Sequence, residues 1–215
     1  MAKDLISPGE AMALRKRGLS EETCAKWDYT VGQFSGRPVQ IANYRGETGQ
    51  IVWQKIRFAP DADGKKDFLA LGDKEAAGLY GQHLWRDAGR KIVITEGELD
   101  ALSVSQAQGN KWPVVSVPNG AQGAAKAVAG ALNYLLTFEE VIIMFDQDDP
   151  GRAAAQECAL LFPPGRCKIA SLPLKDANEM LVAGRVKELV GAIWEAKTYR
   201  PDGIVSISEM RERVL

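Results

Sequence analysis

The chain has 215 residues, 46% of them hydrophobic, and a formal net charge of −1, which suits one domain or two small ones around a real core. Cys24, Cys158 and Cys167 are an odd, widely spaced set with no C-x-x-C pair, which argues against a disulfide framework or a cysteine zinc site and for a reducing cytoplasm. The first residues, with Lys3, Asp4 and Glu10, carry no signal-peptide core, and no apolar run is long enough to span a bilayer, so neither secretion nor membrane insertion is expected.

In chain order, the placement of Ser7, Pro8, Gly9 and Glu10 predicts a capped helix that Gly18 ends, and Ser20, Glu21 and Glu22 open a second helix through Trp27. A helix-turn-helix reading competes with a plain helical hairpin packed on the next sheet. The second helix is short and acid-fronted, which suits packing better than a major groove. Strands follow at 39–44, 51–58 and 68–71, separated by a turn at 46–49 and a loop at 61–64. In 51–58 the period of two puts Val52, Gln54, Ile56 and Phe58 on one face and Ile51, Trp53, Lys55 and Arg57 on the other. Lys55 and Arg57 therefore project together, and the Asp63-Gly64 loop should return Lys65 and Lys66 beside them. Such a cluster is either a solvated strand face or an anion site. Residues 72–90 are turn-rich around Leu84 and Trp85, and His83, the sole histidine, leaves little for a triad or a histidine metal site. A boundary is expected at 88–90, closing a small basic α+β unit over 1–90.

From Lys91 strands and helices alternate: 91–95, 99–108, 114–117, 121–136, 140–145, 152–161, 168–172, 177–183 and a further helix to 197. Alternating βα units imply a parallel sheet with right-handed crossovers and helices on its faces, an α/β domain over 91–198. Residues 199–215, opening at Pro201-Asp202-Gly203, read as a linker or boundary segment. Basic residues outnumber acidic ones 14 to 12 up to Arg90, and acidic outnumber basic 16 to 13 beyond it. That asymmetry suits a metal site facing a polyanion.

Acids collect at strand ends of this second unit. The apolar run 141–145 leads into Asp146, Gln147, Asp148 and Asp149 before Pro150-Gly151 turns into a helix, the place where open α/β sheets hold ligands. Strand 92–95 delivers Glu96-Gly97-Glu98, and the strand at 168–172 leads to Lys175-Asp176-Ala177-Asn178. C-terminal strand ends of a parallel sheet share one edge, so Glu96, Asp146, Asp148 and Asp176 can converge. Carboxylates that close raise one another's pKa unless a cation neutralises them. Oxygen ligands without His or Cys select Mg²⁺ or Mn²⁺. Taken singly, Asp176 reads more readily as a helix cap than as a ligand, and Asp149 reads as a cap too. Asp146, Asp148, Gly151 and Glu157 match part of a calcium-loop pattern, but Pro150 occupies a ligand position and a strand precedes it. An Asp-x-Asp phosphatase wants its motif on the leading strand rather than the third. The run from Gly120 to Lys126 lacks the ending of a phosphate loop.

The phrases IVITEGELDALSV, VVSVPNGA, VIIMFDQDDPGR and LPLKDANEML stand in that order, preceded by QKIRF and GQHLW and followed by YRPDGIVS. Together they resemble the Toprim fold and, more closely, the primase domain of the bifunctional primase-helicases of T-odd podoviruses; Twinkle-type helicases and bacterial primases share parts of the set. The resemblance covers almost the whole chain. It implies a Toprim catalytic domain, a parallel sheet with helices on both faces, preceded by a small α+β basic subdomain. It makes Glu96 the Toprim glutamate, Asp146 and Asp148 its Asp-x-Asp pair and Asp176 the acid that joins them, with Mg²⁺ or Mn²⁺ as cofactor. Lys55 and Lys66, with Arg57 beside them, are the implied nucleotide-binding residues; the chain departs from the family by a longer loop at 59–64. The implied activity is synthesis of short RNA primers on single-stranded DNA by nucleotidyl transfer from ribonucleoside triphosphates. The implied partners are the template, the RNA primer and, in a full-length protein, a zinc-binding template-reading module and a hexameric helicase. The expected place of work is the cytoplasm of an infected bacterial cell, with no membrane partner. Two other readings remain: a Toprim nuclease, which needs the same acids but no triphosphate-binding lysines, and a non-catalytic single-stranded DNA-binding module, against which the intact acid set argues.

Overall fold

Alternation of period two in the first third of the chain folds as an antiparallel sheet. Its strands are β1 (Tyr29–Phe34), β2 (Arg37–Arg45), β3 (Ile51–Phe58) and β4 (Phe68–Gly72), in the order β1-β2-β3-β4. The computed structural model describes residues 4–46, 48–59, 67–85 and 88–200, so the expected positions of Lys65 and Lys66 lie outside the described residues. β1, not anticipated from the sequence, pairs with β2 through Ser35 and Gly36, both at positive φ, as a two-residue hairpin turn requires. One sheet face packs Val39, Ile41, Ile56, Phe58 and Leu71 into a small core. The opposite face presents Tyr44, Trp53, Lys55 and Arg57, as the alternation in 51–58 predicts.

The helix expected after Ser7 does not form. Gly9 takes φ 76, and a Cβ there would stand 2.5 Å from the Val31 carbonyl oxygen. The chain instead lies along β1, with the Glu10 amide donating to Val31 O at 2.9 Å and the Val31 amide to Glu10 O at 2.8 Å. Buried amide side chains supply partners that a helix would otherwise provide: Ile6 N–H donates to Gln54 Oε1 at 2.9 Å, and Gln54 Nε2 donates back to Ile6 O at 3.0 Å. Only a 3-10 turn, Arg15–Arg17, remains, ended by Gly18 in the left-handed region. The second helix is present as α1 (Glu21–Lys26), and Ser20 Oγ accepts from the Thr23 amide at its start.

The second sheet runs β6 (Val114–Ser116), β5 (Gly89–Thr95), β7 (Phe138–Met144), β8 (Cys167–Ile169), β9 (Lys197–Thr198) in spatial order. The first four are mutually parallel; the short β9, missed by the sequence reading, closes the edge antiparallel to β8. The helices are α2 (Glu98–Ala107), α3 (Ala124–Gly130), α4 (Leu132–Leu135), α5 (Asp149–Ala159), α6 (Ala177–Val182) and α7 (Val186–Trp194). The single helix expected over 121–136 opens as a 3-10 turn, Ala121–Gly123, and is divided at Ala131, where the backbone leaves helical values. Alternate residues of the central strands enter two cores. Val93, Ile142 and Met144 meet Leu102, Met180 and Leu189 on one face. Ile92, Ile94, Val141 and Ile143 meet Val128, Ala155 and Cys158 on the other. Burial on both faces is why these strands read as unbroken apolar runs.

The first of these cores does not stop at the parallel sheet. It includes Trp27, Tyr29, Tyr44, Trp53 and Tyr80, so the two sheets share one apolar interior. Tyr80 also bridges Ser116 on β6, and its hydroxyl donates to Trp27 O at 2.6 Å. The face of β3 that carries Lys55 and Arg57 is thereby set opposite the acid-bearing strand ends. Among the described residues no helix is long and apolar enough to cross a membrane.

Candidate active site

The turns after β5, β6, β7 and β8, together with β3 and β4, enclose a cavity of about 550 Å³. Glu96, Asp146 and Asp176 line it from the parallel sheet, and Lys55 and Arg57 face them from β3. Asp148 stands beside the cavity rather than in its lining.

Glu96 follows β5 directly. Its Oε1 accepts the Ala121 amide at 3.1 Å, while Oε2 is buried with no hydrogen-bond partner among the described residues. Gly151 makes this possible: a Cβ there would lie 2.2 Å from Asp146 O and 3.0 Å from Glu96 Oε2. Asp146 ends the β7 run. Burial, then the Glu96 and Asp176 carboxylates, push its carboxyl from the usual range up to about 7. A carboxylate with one buried, orphaned oxygen beside a second acid that resists ionisation is a site short of positive charge, which fits a cation.

Asp148 and Asp176 are committed otherwise. Asp148 caps α5, accepting the Gly151 amide at 3.0 Å, and this hydrogen bond holds its carboxyl below the usual range. Asp176 caps α6, accepting the Glu179 amide at 2.7 Å, so the capping alternative for Asp176 is present alongside its place in the cavity wall. Lys175 Nζ stands 3.4 Å from Asp148 and 3.8 Å from Asp146. Among the described residues, therefore, no three acid, histidine or cysteine side chains are already grouped as a metal cage. The acids converge on one edge, but two are turned to helix ends and a lysine partly neutralises the pair. The edge itself is tied together by the backbone: Gln147 N–H donates to Lys175 O at 2.7 Å, joining the loops after β7 and β8.

On the opposite wall, the Lys55 ammonium donates to Glu98 Oε1 at 2.7 Å and to Pro118 O at 3.0 Å. The Arg57 guanidinium lies 4.8 Å from the Phe68 ring centroid and, among the described residues, has no hydrogen-bond or ion-pair partner. Several cavity residues were not anticipated. Asp100 accepts the Asn178 amide at 3.0 Å, and burial followed by the Asp176 and Asp146 charges pushes its carboxyl well up. Asn178 also donates to Arg17 O and to Ser103 Oγ, and Arg17 donates to Asn178 Oδ1 at 3.2 Å. The spacing Glu96-x-Glu98-x-Asp100 carried a signal for this, since a strand-to-helix turn points successive acids toward one end. Nothing local in Arg15-Lys16-Arg17 indicated that Arg17 would reach the cavity.

A parallel sheet whose strand ends present Glu, Asp-x-Asp and a further Asp, faced by an antiparallel sheet bearing cations, defines a Toprim-type protein with an appended α+β unit. Residues 93–181 match the family described as Toprim-like, and residues 9–72 match that described as bacteriophage T7 DNA helicase/primase, N-terminal a+b fold. The primase fragment of the bacteriophage T7 primase-helicase is 40% identical, with a TM-score of 0.83 over 90% of this chain and 80% of that one. The DNA helicase/primase of Enterobacteria phage T3 is 42% identical over 208 residues, 97% of this chain. The chain spans 36% of that relative's length. This chain belongs to the family of T7-type phage primase-helicases and corresponds to their primase part. The Escherichia coli primase catalytic core, 16% identical with a TM-score of 0.63 over 86% of this chain and 72% of that one, shares the fold.

Proposed function

We propose that this chain synthesises short RNA primers on single-stranded DNA by templated nucleotidyl transfer with Mg²⁺ or Mn²⁺. The observation that carries this reading is the opposition of acids and cations across a single cavity, with Glu96, Asp146 and Asp176 on one wall and Lys55 and Arg57 on the other. Glu96, Asp146, Asp148 and Asp176 would hold the divalent ion, Asp148 and Asp176 turning from their helix caps to do so. When bound, the ion supplies charge neutralisation at the triphosphate and acidifies the attacking hydroxyl.

The remaining work falls to the protein. Arg57, unpaired among the described residues, grips phosphate oxygens with a planar fork, and Lys55 and Lys66 add point charges. Glu96, whose Oε2 has no hydrogen-bond partner among the described residues, would accept the proton of the primer 3′-hydroxyl. We assign residues 1–90 to nucleotide holding, 91–198 to catalysis and 199–215 to a linker, supported by the change from antiparallel to parallel sheet near Gly89. The template, the RNA primer, a zinc-binding template reader and a hexameric helicase are the proposed partners, and the host cytoplasm is the proposed location.

The test is extension of a short oligoribonucleotide on single-stranded DNA with ribonucleotides and Mg²⁺, beside an incubation with labelled DNA alone. Extension without cleavage, abolished in Asp148→Asn at unchanged fold, is expected. Cleavage without extension would assign the same acids to a nuclease, and inactivity of the wild type in both arms would overturn the reading.

A further inference from the structure

Glu98 stands two residues after Glu96 on the same turn, where a third acid for a metal would be convenient, yet its surroundings give it another task. Its side chain is only 4% exposed. One oxygen, Oε1, accepts two donors at 2.7 Å each, the Lys55 ammonium and the Tyr44 hydroxyl. A carboxylate already paired with a cation and a hydroxyl inside the protein has its charge answered.

We infer that Glu98 and Tyr44 are positioning residues that fix Lys55 at the cavity wall, and that Glu98 is not a metal ligand. The inference rests on the proposed nucleotide-holding role of Lys55. Tyr44 is itself immobile: it is 1% exposed and packs against Trp53 at 4.4 Å and Tyr80 at 4.8 Å between ring centroids. Its hydroxyl, buried with the ring, needs an acceptor and finds it in Glu98. The order of support therefore runs from the shared aromatic core through Tyr44 to Glu98 and then to Lys55.

Lys55 comes from β3 of the antiparallel sheet, whereas Glu98 opens α2 after β5 and Pro118 lies in the loop after β6 of the parallel sheet. One ammonium thus joins the two walls of the cavity at two points. The second point matters because the loop beginning at Pro118 also supplies the Ala121 amide that holds Glu96. A lysine stem has four rotatable bonds and loses much freedom when a ligand must fix it. Fixing it beforehand removes that cost from nucleotide binding and should act on KM more than on kcat.

The experiment is a double-mutant cycle on single-nucleotide addition, with lysine acylation mapped by mass spectrometry as a readout that needs no catalysis. Glu98→Gln is expected to raise KM for the ribonucleotide about tenfold, Tyr44→Phe about threefold, each leaving kcat within about twofold. Neither should add to the KM of Lys55→Gln, and the Mg²⁺ concentration for half-maximal activity should stay put in both. Additive effects in the Lys55→Gln background, or a raised Mg²⁺ requirement in Glu98→Gln, would overturn the inference. Lys55 should be acylated slowly in the wild type and about tenfold faster in Glu98→Gln by loss of its acceptor; an unchanged rate would likewise overturn it. A wild type that never extends a primer defeats the proposed function alone, since acylation still reports on Lys55. Tyr44→Phe keeps the buried ring and answers the question if Glu98→Gln fails to fold.

Discussion

At Gly151 the candidate site is limited by a single missing methyl group. A Cβ 2.2 Å from a backbone carbonyl oxygen cannot be relieved by rotating a side chain, so Gly151→Ala is expected to lose about 2–3 kcal/mol of stability and its primer extension together. Urea unfolding and extension assays check both; a stable, active variant would contradict the packing described. Asp146 sets a second residue-scale expectation. Its carboxyl holds a proton more tightly when folded, up to about 7, than when unfolded, so it favours folding at low pH and loses that contribution as pH rises through its folded value. In EDTA, the urea-unfolding free energy taken from about pH 5 to about pH 8 should fall more for the wild type than for Asp146→Asn, the difference amounting to at most about 3 kcal/mol. Equal slopes would show that Asp146 is not strained. At this scale the sequence pointed to four acids at strand ends, and three of them, Glu96, Asp146 and Asp176, line the cavity. The Asp176 cap was among the readings the sequence offered, but it did not disclose that Asp148 rather than Asp149 takes the cap of α5, or that Glu98 pairs with Lys55, since those choices depend on side-chain rotation and on residues from the other sheet.

Elements were legible where their periodicity was answered by burial. Strands β3, β5 and β7 and helices α2 and α5 fall close to where the pattern puts them. The failure at the N-terminus is instructive: Ser7-Pro8-Gly9-Glu10 is a sound helix-start signal, but it was outcompeted by long-range partners. Gln54, fully buried, holds both backbone groups of Ile6 and also donates to Asn43 Oδ1 at 2.9 Å. Asn43 Nδ2 in turn donates to Pro8 O at 3.2 Å. Gln54→Ala would leave buried acceptors and a donor unmatched, and is expected to cost about 2–3 kcal/mol and to speed proteolysis within residues 4–10. Urea unfolding and timed proteolysis measure this; protection equal to the wild type would mean that the segment is held by other contacts. β1 escaped notice because Gly32 interrupts its apolar alternation, and its hairpin partner is what fixes it. A Cβ on Gly32 would meet Ile41 Cδ1 at 2.9 Å, so the interruption is the packing solution itself.

On the scale of the whole molecule, the change from antiparallel to parallel sheet was readable from the change in period, and the ordered motifs pointed to the family. That the two sheets share one core was not readable, because Trp27, Tyr29, Tyr44, Trp53 and Tyr80 are separated in sequence and meet only through the docking of the sheets. This docking sets Lys55 and Arg57 against Glu96, Asp146 and Asp176, and the proposed chemistry depends on it. A cavity of this kind serving templated polymerisation must obey the template base, a requirement that neither a nuclease nor a binding module shares. The direct measurement is single-ribonucleotide addition to an annealed oligoribonucleotide on four DNA templates that differ only in the next base. The account predicts that each template directs addition of its complement alone, in a divalent-ion-dependent reaction lost in Asp146→Asn. Addition indifferent to the template, or none on any of the four, would contradict it.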